Sequence, residues 1–182
     1  MQMRESRSLA SQVVYSYGAN LRAKHPFKLY FTGLKEKSIM LELLQKNNGF
    51  ENWFVEKSEK SYHEIFDNNK IVYLSSDSDN VLETLDPSTV YIVGGIVDRN
   101  RHKGLCQRLA TEKEIKTAKL PISSFLEGHT RKVITVNQVV QILLKYKEYN
   151  DWGKAMLEVM PARKGYKIKK SSEDAEQDQT GK

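Results

Sequence analysis

The sequence predicts an α/β fold in which a parallel β-sheet carries helices on both faces. Two short runs, Ile71–Leu74 and Val90–Val93, are continuously apolar, which is typical of strands buried on both faces of a parallel sheet. Segments with helical periodicity precede, separate and follow these strands. In open parallel sheets, ligands bind at the carboxyl ends of the strands. We therefore expect a site in the loops after Leu74, Val93 and Ile122.

The first element is an amphipathic helix over residues 1–25, with a basic side. Its apolar residues recur at helical spacing, and its basic residues lie off that stripe. The apolar set is Leu9, Val13, Val14, Tyr17 and Leu21, and the basic set is Arg4, Arg7, Arg22 and Lys24. An Arg- and Ser-rich start also suits a mitochondrial presequence. A docked helix is favoured, because the segment leads directly into the domain.

A βα unit and then the first of the two apolar strands follow Pro26. Residues 27–32 alternate as a strand does, and the apolar residues from Leu34 to Leu44 predict a helix. Asn47-Asn48-Gly49 predicts its left-handed C-cap. Residues 62–66 predict one or two helical turns before the strand at 71–74.

The second half alternates in the same way. We predict a brief helix over residues 81–85, a helix around Leu105–Ala110, and a poorer third strand over 118–122 because of Pro121. Thr135 and Gln138 form a capping box for the clearest helix, and a last helix ends at Pro161. One domain is expected over residues 1–165, and a disordered polar tail over 166–182.

Length and composition exclude several classes of protein. A chain of 182 residues can bury a core as one domain, and it has no apolar run of the roughly 18 residues that a membrane span needs. A single cysteine and an N-terminus without an apolar signal core predict an intracellular protein. The net charge is +6, and the last 12 residues hold four acids and one lysine, so the remainder carries +9. Such an excess favours a polyanionic partner, nucleic acid first.

The densest constellation of chemical groups follows the second apolar strand. Gly94-Gly95 allow close backbone approach, and Asp98 follows at the strand edge beside basic residues. An ordinary turn in which Asp98 or Asn100 caps the next helix is an equal alternative. No dinucleotide fingerprint, P-loop or metal-ligand spacing occurs. Cys106 lies in a helical apolar stripe, which favours an inert thiol.

Two other segments suit contact with an anion or RNA. Arg131 and Lys132 precede the capped helix, where an anion could bind, although a solvated helix start explains them equally well. Aromatic residues near the N-terminus interleave with basic ones, which suits stacking on RNA. These aromatics are Tyr15, Tyr17, Tyr30 and Phe31. Packing is favoured for each aromatic, and RNA contact for the basic residues.

Four blocks of sequence stand out in the chain. They are Val90-Tyr-Ile-Val-Gly-Gly-Ile-Val-Asp98, Lys103-Gly-Leu105, Ala118-Lys-Leu-Pro121 and Arg131-Lys-Val-Ile-Thr-Val-Asn-Gln-Val139. In order and spacing they resemble the tRNA guanosine N1-methyltransferase family that modifies position 9, and the B-type vertebrate branch in particular. The resemblance covers roughly residues 1–165.

This resemblance implies a SPOUT-superfamily α/β fold, with a C-terminal trefoil knot that binds S-adenosylmethionine. It also implies a monomer located in the cytosol or nucleus rather than in the mitochondrion. The cofactor-binding residues that it implies are Leu74, Ser75, Gly94, Gly95, Arg99, Lys103, Leu105, Cys106, Leu120, Lys132, Val133 and Ile134.

For catalysis, the resemblance makes Asp98 the residue that receives the N1 proton of guanine or orients that atom, because N1 is a poor nucleophile while protonated. Position 9 lies in the folded core of tRNA, so a basic surface must hold phosphates around it. The expected RNA-binding residues are Arg22, Lys24, Lys28, Arg99, Arg101, Lys103 and Arg131. The alternatives are a non-catalytic RNA-binding α/β module and an enzyme acting on a small anionic molecule.

Overall fold

A computed structural model of the protein describes residues 2–97, 104–127, 134–160 and 167–168. Short strands and helices alternate along these ranges. The helices are α1 (Met3–Leu21), α2 (Ile39–Gln45), α3 (Tyr62–Ile65), α4 (Leu105–Thr111), α5 (Ile122–Phe125), α6 (Val136–Tyr149) and α7 (Trp152–Val159). The strands are β1 (Tyr30–Phe31), β2 (Glu56–Lys57), β3 (Ile71–Leu74), β4 (Val90–Val93), β5 (Lys116–Ala118), β6 (Leu126–Glu127) and β7 (Lys167–Ile168).

The central sheet is parallel, with strand order β4-β3-β5. Ile71 and Tyr73 pack on one side with Ala110 of α4. Val72 and Leu74 point to the other side, into the core that α6 and α7 form. Side chains of a strand alternate between the faces of its sheet, so the prediction of helices on both faces is confirmed.

Two further strand pairs lie outside the central sheet. The strand predicted over residues 27–32 is reduced to β1, which pairs in parallel with β2 rather than with β3 or β4. Strand β7 pairs antiparallel with β6. Residues 167–168 of the predicted tail therefore form a strand, and the rest of that tail lies outside the described residues.

Three further predicted elements differ from the structure. The helix predicted over residues 81–85 is absent, because Leu82 donates its N–H to the carbonyl of Lys119 and that segment runs beside the end of β5. The third strand begins earlier than predicted and ends at Ala118, and Ile122 opens α5 instead of closing a strand. The predicted helix from Leu34 begins only at Ile39, since Ser38 accepts from the N–H of Leu41 and caps it.

The N-terminal segment is a docked helix, as favoured, which packs against α2 and α6. Its end is held by Asn20, whose side chain donates to the carbonyl of Phe27 and accepts from its N–H. Tyr17 stacks on Trp53 with ring centroids 4.1 Å apart. These contacts orient α1 on the domain.

The C-terminal helices close the larger core. The predicted capping box of Thr135 and Gln138 begins α6. Trp152 is buried, stacks on Tyr146 at 3.8 Å and donates from Nε1 to the carbonyl of Glu83 at 2.7 Å. No helix in the described part of the chain is long and apolar enough to cross a membrane.

Candidate functional site

A cavity of about 410 Å³ lies where the carboxyl ends of β3 and β4 meet the N-termini of α4 and α6. This volume is within the range of small-molecule sites. Its apolar lining includes Leu74, Val93, Ile96, Val97, Leu105, Leu120, Ile122, Ile134, Val136 and Val139. Its polar lining includes Gln12, Ser75, Ser76, Asp77, Lys119, Ser123 and Thr135. Among the described lining residues, Asp77 carries the negative charge and Lys119 the positive one.

The cavity brings together seven of the residues expected to bind a cofactor. They are Leu74, Ser75, Gly94, Leu105, Cys106, Leu120 and Ile134. Gly95 is not among the lining residues, and a Cβ built on it would lie 3.5 Å from Leu9 Cδ2 of α1. The expected residues Asp98, Arg99, Lys103, Lys132 and Val133 lie outside the described residues.

Gly94 stands where two side chains approach the backbone closely. A Cβ built on it would lie 2.8 Å from Tyr73 Oη and 3.0 Å from Cys106 Sγ. Tyr73 is buried, and its hydroxyl shares a hydrogen bond with Cys106. Burial is the main cause that raises the pKa of Tyr73 far above its ordinary value, with Cys106 adding to it. The phenol therefore stays neutral, and it fills the space beneath the glycine.

The loop after β3 is held against β5 by its own polar groups. Ser78 is buried, and its Oγ lies 2.9 Å from Thr117 Oγ1. The backbone N–H of Ser75 donates to the carbonyl of Ala118. Asp77 accepts from the N–H of Gly104 at 2.9 Å, which ties this loop to the start of α4. The serine and aspartate side of the cavity is thus fixed by the neighbouring strand and helix.

Gln12 of α1 is a cavity residue that the sequence analysis missed. Its Oε1 accepts from the N–H of Val136, the first residue of α6, at 2.9 Å. Its Nε2 donates to Ser8 Oγ at 3.2 Å. Helix α1 therefore satisfies one of the free N–H groups at the start of α6. The only signal in the sequence is a glutamine beside the inward-facing Leu9 and Val13 of α1.

We expect Gln12→Ala to lower the free energy of unfolding by about 1 kcal/mol, because the N–H of Val136 loses its partner. The affinity for a ligand of the cavity should fall with it, since Gln12 also lines the wall. Chemical denaturation and calorimetric titration measure the two effects. Gln45→Ala, at an exposed glutamine of α2, is the matched control. An effect no larger than that of the control would contradict the role of Gln12.

The expected RNA-binding residues fall into two groups. Arg22, Lys24 and Lys28 are exposed, whereas Arg101 and Arg131 lie outside the described residues. Lys28 lies 3.4 Å from Glu56, and its ammonium group stands over the ring of Tyr30. Hydrogen bonding, first to Tyr30 and then to Glu56, raises the pKa of Lys28. The positive charge of Lys28 is therefore already partly compensated within the protein.

No cluster of three or more His, Cys, Asp or Glu side chains that could hold a metal occurs within the described ranges. His63 is occupied in a polar cluster instead. Its Nδ1 lies 2.6 Å from Ser61 Oγ, and its Nε2 lies 3.1 Å from the ammonium nitrogen of Lys113. Ser61 also forms a capping box with Glu64 at the start of α3. This cluster therefore caps and anchors a short helix.

A cavity of ligand size at the carboxyl ends of parallel strands defines the chain as an α/β protein with a candidate small-molecule site at that end of its sheet. The chain belongs to the family described as tRNA (guanine(9)-N(1))-methyltransferase TRM10/TRM10A, whose model matches residues 1–165. That description names the TRM10/TRM10A group and not the B-type branch that the resemblance favoured.

Several curated relatives share this assignment. The tRNA (guanine(9)-N1)-methyltransferase of Schizosaccharomyces pombe is 45% identical over 176 residues, covering 93% of this chain and 57% of the relative. The human tRNA methyltransferase 10 homolog A is 36% identical, covering 91% of this chain and 49% of the relative. The chain thus spans about half the length of the curated relatives that it matches.

Solved structures give the same result for the fold. The spTrm10 (full length)–SAH complex superposes with a TM-score of 0.80 at 42% identity, covering 88% of this chain and 86% of the other. A dual-specific Trm10 from Thermococcus kodakaraensis superposes with a TM-score of 0.68 at 23% identity and covers 88% of this chain. The second similarity concerns the fold alone.

Proposed function

We propose that the chain transfers a methyl group from S-adenosylmethionine to N1 of guanosine at position 9 of tRNA. The observation that carries the proposal is the cavity at the ends of β3 and β4, which gathers residues from separate sequence blocks typical of this family. The similarity to a complex described as containing SAH supports the same cavity as the methyl-donor site.

The described residues fit such a donor in size and chemistry. Leu74, Leu105 and Ile134 offer apolar surface for a purine ring. Ser75, Ser76 and Thr135 offer backbone and hydroxyl groups for ribose and amino-acid oxygens. When bound, S-adenosylmethionine supplies a methyl group on a positively charged sulfur, which a lone pair attacks in line. The expected contacts at Arg99, Lys103, Lys132 and Val133 remain part of this proposal.

Asp98 is the proposed group that receives the N1 proton of guanine or orients that atom. Val97, the residue before it in the sequence, lines the cavity, which supports the assignment. Guanine N1 has no free lone pair until its proton leaves, so a carboxylate within hydrogen-bond reach lowers the barrier. The proton passes to the Asp98 carboxylate, and N1 gains the methyl group as the carbon–sulfur bond breaks.

The remaining expectations complete the proposal. Arg99, Arg101, Lys103 and Arg131 would hold phosphates near the target base, together with Arg22 and Lys24, while it leaves the tRNA core. We infer a trefoil knot as well from membership of the family; the backbone hydrogen bonds of Ala118 with Ser75, and of Lys119 with Asn80 and Leu82, fit a crossing at this point. The protein is proposed to act as a monomer in the cytosol or nucleus.

One assay tests the function directly. The chain is incubated with total tRNA and S-adenosylmethionine labelled in the methyl group, and the modified base and its position are then mapped. Label in 1-methylguanosine at position 9 is the expected result. Binding of donor and tRNA without transfer would overturn the proposal in favour of a non-catalytic RNA-binding module. Transfer to a small anionic molecule instead of tRNA would favour the other alternative.

A further inference from the structure

The exposed face of α1 carries two arginines at its start and a third just after its end. At 100° per residue, six exposed residues of α1 and its C-cap fall within about 60° of one line along the helix. All six are exposed, and they are Arg4, Arg7, Ser8, Ser11, Tyr15 and Arg22. The stripe spans about 27 Å from the first to the last, at 1.5 Å per residue. We call this set of residues the α1 track.

The α1 track carries positive charge without compensation. Within the described ranges, no carboxylate lies at ion-pair distance from the guanidinium groups of Arg4, Arg7 or Arg22. The Arg22 side chain folds back over Gly18, since a Cβ built on that glycine would lie 3.3 Å from Arg22 Nη1. The guanidinium group is thereby brought within one helical turn of Tyr15.

Tyr15 is an aromatic residue whose ring stacks on no other ring in the described part of the chain. Its exposed fraction is 65%, whereas Tyr17 stacks on Trp53 and Tyr30 packs edge-on against Phe66. A free phenol ring between guanidinium groups is typical of surfaces that stack a base while cations bind the flanking phosphates. The packing expectation therefore describes Tyr17 and Tyr30 but not Tyr15.

The α1 track also borders the cavity. Ser8 belongs to the track and accepts a hydrogen bond from Gln12, and Gln12 lines the cavity. On the inner side of the helix, Leu9 approaches Gly95 after β4. A strand of nucleic acid lying on the track would therefore pass beside the mouth of the cavity.

We propose that the α1 track binds the tRNA substrate, with Arg4, Arg7 and Arg22 on its phosphates and the ring of Tyr15 stacked on one of its bases. The proposal rests on the proposed function for the identity of the RNA. It adds Arg4, Arg7 and Tyr15 to the expected contacts, and it gives Arg22 a place in a continuous surface. Phosphates select the positive stripe, and stacking adds affinity that tolerates any base.

The first test reverses charge on the track. Arg4→Glu with Arg7→Glu should weaken tRNA binding at least tenfold and reduce the salt slope of log K by about 1.5 to 2, because two phosphate contacts are lost. Fluorescence anisotropy with labelled tRNA at several salt concentrations measures both. Lys60→Glu with Lys70→Glu is the control of equal charge, since both lysines are exposed and Lys70 directly precedes β3, at the end of that strand opposite the cavity.

The second test separates stacking from charge. Tyr15→Ala should weaken tRNA binding about 5- to 30-fold, whereas Tyr15→Phe should bind almost as the unaltered chain, because the ring remains. Phe54→Ala is the aromatic control, at a ring that is 89% exposed beside the acidic Glu51 and Glu56. Circular dichroism melting curves check that each variant keeps its fold.

The outcomes distinguish the α1 track from the proposed activity. Equal effects of the track and control variants, or no tRNA binding by the unaltered chain, would overturn the proposal that the α1 track binds tRNA. Normal methyl transfer by both track variants at subsaturating tRNA would overturn tRNA binding by the α1 track but would support the proposed methyltransferase activity. If the track variants alone lose tRNA binding and the unaltered chain transfers no methyl group, tRNA binding by the α1 track is supported and the proposed activity is overturned.

Discussion

Asp98→Asn should slow methyl transfer about 10²- to 10⁴-fold, which is the usual contribution of a general base. The amide has the size of the carboxyl group but cannot accept the N1 proton of guanine. Donor affinity should stay within about twofold, since the cavity lining around Val97 is unchanged. Single-turnover transfer to saturating tRNA measures the rate, and calorimetric titration measures donor binding.

A matched control tests whether the loss of rate is specific to Asp98. Asp79→Asn is the matched control, since Asp79 is exposed in the loop after β3 and does not line the cavity. An unchanged single-turnover rate in Asp98→Asn would refute the assignment.

Local patterns in the sequence predicted those parts of the fold whose stability is local. The apolar runs at Ile71–Leu74 and Val90–Val93 are β3 and β4, because a strand buried on both faces must be apolar throughout. The capping box of Thr135 and Gln138 begins α6, because both of its hydrogen bonds close within three residues.

Backbone hydrogen bonds between segments distant in the sequence determine the structure where the predicted elements were wrong. Residues 81–85 have the composition of a short helix, but Lys119 exchanges backbone hydrogen bonds with Asn80 and Leu82 and keeps them extended. Such pairing overrides a weak local preference. Pro121 was a signal in the sequence that the third strand ends earlier, because proline cannot donate a hydrogen bond to a sheet, and the observed strand is Lys116–Ala118.

The candidate site was predictable in part for the same reason. The place of Ser75 and Gly94 in the site could be predicted, because ligands bind at the carboxyl ends of strands in parallel sheets. The place of Gln12 could not be predicted, because its partner Val136 is 124 positions away in the sequence. The exposure of Tyr15 could not be predicted either, because helical periodicity gives the side of α1 on which the residue lies but not which neighbouring elements cover that side.

Gly94→Ala should lower the free energy of unfolding by about 1 to 3 kcal/mol, the usual cost of overpacking a buried position. The added Cβ would lie 2.8 Å from Tyr73 Oη, and Tyr73 is buried within the sheet. Relief requires a shift of the ring or of the backbone at the cavity wall. Donor affinity should therefore fall at least tenfold. Thermal melting and calorimetric titration measure the two losses.

A rescue variant separates this contact from a general effect of removing a glycine. Tyr73→Phe removes Oη, and the nearest ring carbon then lies 3.5 Å from the added Cβ, an ordinary contact. Gly94→Ala should therefore cost less in the Tyr73→Phe background, with a remainder from Cys106 Sγ at 3.0 Å. Gly95→Ala meets Leu9 at 3.5 Å and should be nearly neutral. Equal losses in both backgrounds would contradict the role assigned to the Tyr73 hydroxyl and leave Cys106 Sγ as the close contact.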